Sequence, residues 1–250
     1  MNYLRRASGL WCPDYHLRFP PERGFAQPNY SILPGHFPAG AVARAGDSAP
    51  ISLVFTHSDI TTGGNQTSWP NVPIGDAASD RLVIVAPHGA QFGNPTFGAL
   101  TVGGISATKL GEVDASNNTA AMFAAVVPTG TDATVSWTYS SGSGNRNGLA
   151  VYALYNYVSN TPHDSDFPTG GNGALRTATI DVPAGGAALG IAFGKAGEQG
   201  AKWLDGRSED FFELTSKDFQ GGVRASTATT LTDEEFRFDG CRGIMAASWS

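Results

Sequence analysis

Nine carboxylates gather late in the chain: Asp205, Glu209, Asp210, Glu213 and Asp218, then Asp233, Glu234, Glu235 and Asp239. A glycosidase needs two acids facing each other across a sugar, and a calcium site needs several converging oxygens. The spacing matches no EF-hand, so a solvated acidic face is the expectation, and glycan cleavage through Glu209, Asp210 and Glu213 ranks third among the functions considered. The five histidines, His16, His36, His57, His88 and His163, form no His-x-x-x-His pair, and no Cys-x-x-Cys accompanies them, so neither a zinc site nor any other metal site is expected. "THSD" (56–59) and "HDSD" (163–166) set a histidine beside an aspartate, as a general base and its orienting group would stand. With no nucleophile assignable to either, both are expected in solvated loops.

Other catalytic patterns fail on their own chemistry. A nucleophile elbow needs Gly-x-Ser-x-Gly, and none occurs. "GIAFGKA" (190–196) is one residue short of a phosphate loop and places Ala196 where a magnesium-holding hydroxyl belongs. "SGSGNRNG" (141–148) has Asn147 at the third glycine of a dinucleotide loop, and no long helical pattern follows. No catalytic residue and no cofactor is therefore expected. Cys12 and Cys241 are the only cysteines. Buried thiols are the default for such a distant pair, and a bond between them formed after release from the cell is the other reading.

The elements available to position side chains are strands. Only 15% of the 250 residues are charged, with four lysines, against 32 glycines and 15 prolines. Sustained i, i+3, i+4, i+7 apolar spacing is absent, and the best helical candidates are "SEDFFELTSKDF" (208–219) and "LTDEEFRF" (231–238). Nine segments read as strands: 51–56, 81–86, 99–102, 120–127, 133–139, 149–155, 174–182, 188–193 and 243–249. Glycine-rich turns such as "FGNPTFG" and "SSGSGNRNG" separate them. The pattern predicts an all-β protein, an antiparallel β-sandwich of immunoglobulin-like or jelly-roll-like type with two sheets face to face.

One turn recurs. Val-Pro-x-Gly stands at 72–75, 127–130 and 182–185, so that Gly75, Gly130 and Gly185 are 55 residues apart each time. Proline presets φ and glycine frees the exit, so the unit reads as strand, turn, strand. A copied hairpin and the ordinary need of a sandwich for reversals both account for it.

The first 50 residues differ in kind and are read as a separate segment, an extended N-terminal arm before a sandwich domain of residues 51–250. Seven of the 15 prolines lie in it, and five arginines against three acids make it +2 and leave −8 for the remainder of a chain whose net charge is −6. Proline excludes long helices and central strands there. Aromatic residues and arginines with no lysine resemble a binding surface, so Tyr3, Arg5, Arg6, Trp11, Tyr15, Arg18, Phe19, Arg23, Phe25, Tyr30 and Phe37 are the candidate partner-binding residues. Docking on another chain and wrapping over its own sandwich are both open for this arm. Nucleic acid is not an expected partner, since a pI near 5.3 repels phosphates. A membrane is not expected either, since no apolar run approaches the ~20 residues a spanning helix needs, and no secretory leader is legible.

"IGDAASDRLVIVA", "FGALTVGGISATKL", "TAAMFAAVVPTGTDATVSWTYSSG" and "GLAVYALYN", within 73–156, resemble segments of β-sandwich structural proteins of tailed bacteriophages and related gene-transfer particles. The resemblance implies a non-enzymatic virion component, made in a host cytoplasm, oligomeric, and bound to other virion structural proteins through the arm. It brings no catalytic residues and does not distinguish head, tail or fibre. The alternative is a carbohydrate-binding or host-receptor-binding module, with a host-surface glycan stacked on exposed Trp69, Trp137, Trp203 or Tyr139.

Overall fold

Alternation of side chains across a strand decides which residues can be buried on which face, and here several strands are buried on both. The computed structural model describes residues 49–250 except 62, 91–94, 116, 169, 172–173, 196–200, 205 and 216–217. The arm residues from Tyr3 to Phe37, together with Cys12, His16 and His36, lie outside the described residues. In chain order the strands of the first half are β1 (Ser52–Ile60), β2 (Ser68–Pro73), β3 (Leu82–Ala90), β4 (Thr96–Val102), β5 (Ile105–Ser106), β6 (Thr108–Ala115), β7 (Asn118–Val126), β8 (Asp132–Ser141) and β9 (Arg146–Tyr155). Those of the second half are β10 (Asp164–Asp166), β11 (Ala174–Val182), β12 (Ala187–Lys195), β13 (Lys202–Trp203), β14 (Glu209–Leu214), β15 (Asp218–Ser226), β16 (Leu231–Cys241) and β17 (Gly243–Trp249). All nine strand expectations fall on strands. Both helical expectations are overturned: 208–219 forms β14 and the start of β15, and 231–238 forms β16. In β16 the buried rings are Phe236 and Phe238, two residues apart, which is the period of a strand and not of a helix.

Among the described residues the strands form four sheets, not the two expected. They are ordered β1-β9-β3-β7-β6, β2-β8-β4-β5, β10-β17-β12-β15-β14 and β11-β16-β13, and every pairing is antiparallel. Burial sets their stacking. Val83, Val85, Phe123 and Val151 share a core with Trp69, Phe97 and Trp137 of the β2-β8-β4-β5 sheet. On the opposite face of the same strands, Ile84, Met122, Tyr152 and Leu154 share a core with Leu189, Ile191, Phe193, Met245 and Trp249. Ala188, Ala192, Ile244 and Ala246 then turn the other way to meet Phe236 and Phe238. Two sandwiches therefore stack through their five-stranded sheets in four layers, with three apolar seams.

The two halves repeat one topology. The inner order β1-β9-β3-β7-β6 maps strand for strand onto β10-β17-β12-β15-β14, and the outer β2-β8-β4 onto β11-β16-β13. The contacts between the halves are reciprocal. β9 lies against β15 while its counterpart β17 lies against β7, the counterpart of β15. Phe55 of β1 stacks on Phe211 of β14 at 5.2 Å, while Phe167, just after β10, covers Gly111 of β6. This exchange of partners is the signature of a two-fold, isologous interface, here within one chain.

The recurring turn takes its meaning from this repeat. Val72–Gly75 closes β2 and Val182–Gly185 closes β11, equivalent places at which the chain leaves an outer sheet for an inner one. The operative spacing is therefore the 110 residues from Gly75 to Gly185, and Val127–Gly130 is a different passage, from inner β7 to outer β8. These are corners between sheets and not hairpins. Gly75 and Gly185 hold φ of +82° and +73°, where a side chain is disfavoured. Arg81, fully buried, ties the first corner to the β7–β8 passage. Its guanidinium donates to the carbonyls of Gly75 (2.6 Å), Thr129 (2.8 Å), Gly130 (2.8 Å) and Val127 (2.8 Å).

Candidate functional site

Polar residues interrupt the central apolar seam at one end. His88 is the seventh residue of β3 and Phe193 the seventh of β12, and their rings meet at 5.5 Å between centroids. One turn of the pleat further on, Asn118 pairs with Ala90, the last residue of β3, and Asp218 pairs with Lys195, the last residue of β12. Asn118 and Asp218 therefore hold equivalent places in the two halves. Assigned so that both ends of its amide find partners, Asn118 donates through Nδ2 to His88 Nε2 (3.2 Å) and Asp218 Oδ1 (3.3 Å), while its oxygen accepts from Arg242 Nη1 (3.2 Å). Arg146 Nε lies 2.5 Å from Asp218 Oδ2. Gln220, also buried, donates its amide to the Ala86 carbonyl at 2.9 Å.

The electrostatics follow from burial. His88 and Asp218 are both fully buried. Desolvation, joined by the nearby positive charge of Arg146, lowers the His88 pKa from 6.5 to about 4. The ring is thus neutral at pH 7, and because Nε2 accepts a bond its proton sits on Nδ1. A neutral imidazole with its basic nitrogen already engaged is a poor general base. The network joins His88, Asn118 and Arg146 of the first half to Asp218 and Arg242 of the second.

Above it opens a cavity of about 190 Å³ lined by Ala90, Asn117, Asn118, Asn145, Arg146, Lys195 and Arg242. Both glycine-rich stretches that fail as nucleotide loops end here. "SGSGNRNG" delivers Asn145 and Arg146, and residues 190–195 of "GIAFGKA" are the extended end of β12, delivering Lys195.

The other chemistry-bearing residues are dispersed. His57 and Asp59 lie in β1 and not in a loop, and Asp59 accepts a bond from Trp69 Nε1 at 2.9 Å. His163 is exposed, and Asp164 and Asp166 of β10 each accept a backbone N–H at 2.8 Å, from Asp181 and Thr179. Of the late carboxylates, Asp205 lies outside the described residues, Glu209, Asp233 and Glu235 are exposed, and Asp218 departs from a solvated face altogether. Among the described residues no group of three or more His, Cys, Asp or Glu side chains is placed to hold a metal ion.

Trp69, Trp137 and Trp203 are buried in the cores and not exposed, because each continues the inward face of its strand. Trp69 and Trp137 stack at 4.6 Å. Tyr139 is half-buried and donates to Asn147 Oδ1 at 2.7 Å, and burial pushes its phenol up to about 12. Cys241 is buried, its thiol 3.6 Å from the Phe238 carbonyl.

Sequence reasoning did not assemble the cluster, since Arg146 and Asp218 belong to different halves and share no motif. The one legible signal was "DFQ" at 218–220, polar residues at alternate positions just ahead of the apolar, glycine-rich "GGV". Compared with known proteins, the chain matches no family model, no curated protein and no solved structure.

Proposed function

We propose that this chain is a non-enzymatic structural component of a phage or phage-like particle. In this reading residues 1–50 attach it to neighbouring subunits and the paired sandwiches form the exposed body. The observation that carries the reading is that the ionisable groups best suited to chemistry are bonded into the framework. Asp210 accepts from Arg224 Nε at 2.8 Å and from Tyr152 at 3.1 Å, Glu213 accepts from Ser58 at 2.7 Å, and Asp218 pairs with Arg146. Those carboxylates hold strands to one another across the halves. The resemblance of segments within 73–156 to phage β-sandwich proteins supplies the particle, and the composition of the first 50 residues supplies the attachment. A glycan-binding reading loses most of its sugar platform, because the three tryptophans it named are interior and only half-buried Tyr139 remains.

The test is to express the full chain and a form lacking residues 1–50 alongside the other components of a particle, and to sediment the assemblies. The full chain is expected to co-sediment, and the shortened form to stay in the supernatant with an unchanged β-type circular dichroism spectrum. Co-sedimentation of the shortened form to the same extent would refute the attachment role, and absence of the full chain from particles would refute the proposal itself.

A further inference from the structure

We propose that the cavity at the junction of the two halves is a binding site for a small oxyanion, a phosphate or sulfate group, held by Arg146, Lys195 and Arg242. Among the described residues lining it, three carry positive charge, Asn117 and Asn145 bring further amide donors, and none is acidic. That local excess stands out on a chain whose net charge is −6.

The cations come from three separate strand ends. Arg146 begins β9, Lys195 ends β12, and Arg242 stands between β16 and β17. Like charges converging in this way repel one another, and the arrangement is stabilised when a counter-charge enters. Asp218 supplies such a charge from below, through Arg146. It is fully buried, whereas the Arg146 side chain is 23% exposed, so the carboxylate anchors the guanidinium from beneath while the group still reaches the cavity. Asn118 does the same for Arg242, accepting from its Nη1 at 3.2 Å. Guanidiniums fixed from behind match the oxygens of a tetrahedral anion with little further loss of freedom, and a lysine adds a compact point charge at the mouth. A volume of about 190 Å³ equals roughly six waters, enough for one oxyanion with part of its hydration shell and too little for a polymer. The site needs both halves, so a bound anion also bridges them.

The test uses the full-length protein, titrated calorimetrically at pH 7 with sodium phosphate and separately with sodium sulfate, at constant ionic strength set by sodium chloride. Saturable binding of either anion is expected, with a concentration-dependent rise in the unfolding temperature. Lys195→Gln, at an exposed position, and Arg242→Gln should each weaken binding about tenfold or more, while circular dichroism confirms that each variant is folded. A series of phosphorylated and sulfated monosaccharides then separates a free inorganic ion from the same group carried on a sugar. No saturable heat and no shift with either anion would overturn the proposal, as would binding by Lys195→Gln as tight as wild type. If Arg242→Gln fails to fold, the Lys195→Gln result decides alone.

Discussion

Asn118 and Asp218 occupy the same place in the two halves of the chain and touch each other across the junction, amide nitrogen to carboxylate oxygen at 3.3 Å. Contact between equivalent residues is what a two-fold axis produces. The same axis brings His88 onto Phe193. In both pairs the first half contributes a neutral polar group, while the second contributes a charge in one pair and an apolar ring in the other. The symmetry of the backbone is therefore retained where the side chains have diverged.

Asp218→Asn leaves Arg146 without its counter-charge over a buried junction. Breaking a buried pair from one side costs about 3–5 kcal/mol, and the partial exposure of Arg146 places the expected loss near the lower end. Urea unfolding at pH 7 should show a lowered midpoint with an unchanged slope.

His88 gives the junction a pH dependence with a definite sign. Its folded pKa of about 4 lies below the ordinary 6.5, so the unfolded chain takes up a proton first as pH falls. The neutral ring's contribution is fully present above pH 6.5 and is lost as pH falls from 6.5 to 4, at a slope of up to about 1.4 kcal/mol per pH unit, some 3 kcal/mol in all. His88→Gln keeps an acceptor for Asn118 and removes the titration. Unfolding curves at pH 7, 6, 5 and 4 should fall less steeply with acid for the variant than for wild type.

Arg81 is a single point of attachment for four carbonyls in two corners. Arg81→Met fills much of the volume but leaves those oxygens without their charged donor. At about 1–3 kcal/mol for each stranded buried group, with partial relaxation, a loss of at least ~3 kcal/mol is expected. Chemical denaturation measures it, and an unchanged midpoint would remove Arg81 from the framework.

Gly75 and Gly185 separate backbone from packing. Both have positive φ, but a Cβ at Gly185 would meet nothing within 4 Å, whereas one at Gly75 would run into Ala153 and the Tyr155 hydroxyl. Gly185→Ala should cost only the left-handed penalty of about 1–2 kcal/mol. Gly75→Ala should cost clearly more. Thermal melts of the two variants side by side check the difference.

The strand content was legible because runs such as "LVIVAPHGA" and "GLAVYALY" leave little else for the chain to do. The strands mistaken for helices carry acids beside their rings. In "LTDEEFRF" three consecutive acids hide the alternation that begins only at Phe236, and in "SEDFFELTSKDF" the adjacent pair Phe211 and Phe212 breaks it. Four layers were not legible because burial on both faces is a property of a strand's neighbours. Val83 and Ile84 are adjacent in sequence and equally apolar, yet one belongs to the outer seam and the other to the central seam. The repeated turn was visible, but its middle copy at 127–130 suggested a period of half the true one. At the junction, Arg146 and Lys195 were visible only inside rejected motifs, and Asn118 and Arg242 belonged to none. What assembles them is the two-fold packing, which no local pattern encodes.

The central seam has a further consequence for how such a chain can be handled. Cut in the connection between Tyr155 and Asp164, it would give two polypeptides that each present a wall of aliphatic and aromatic side chains with no cover. Neither piece is suited to life as a soluble fragment. Co-produced, the two pieces should find each other and reconstitute the body, which makes this connection a natural point for a split-protein reporter.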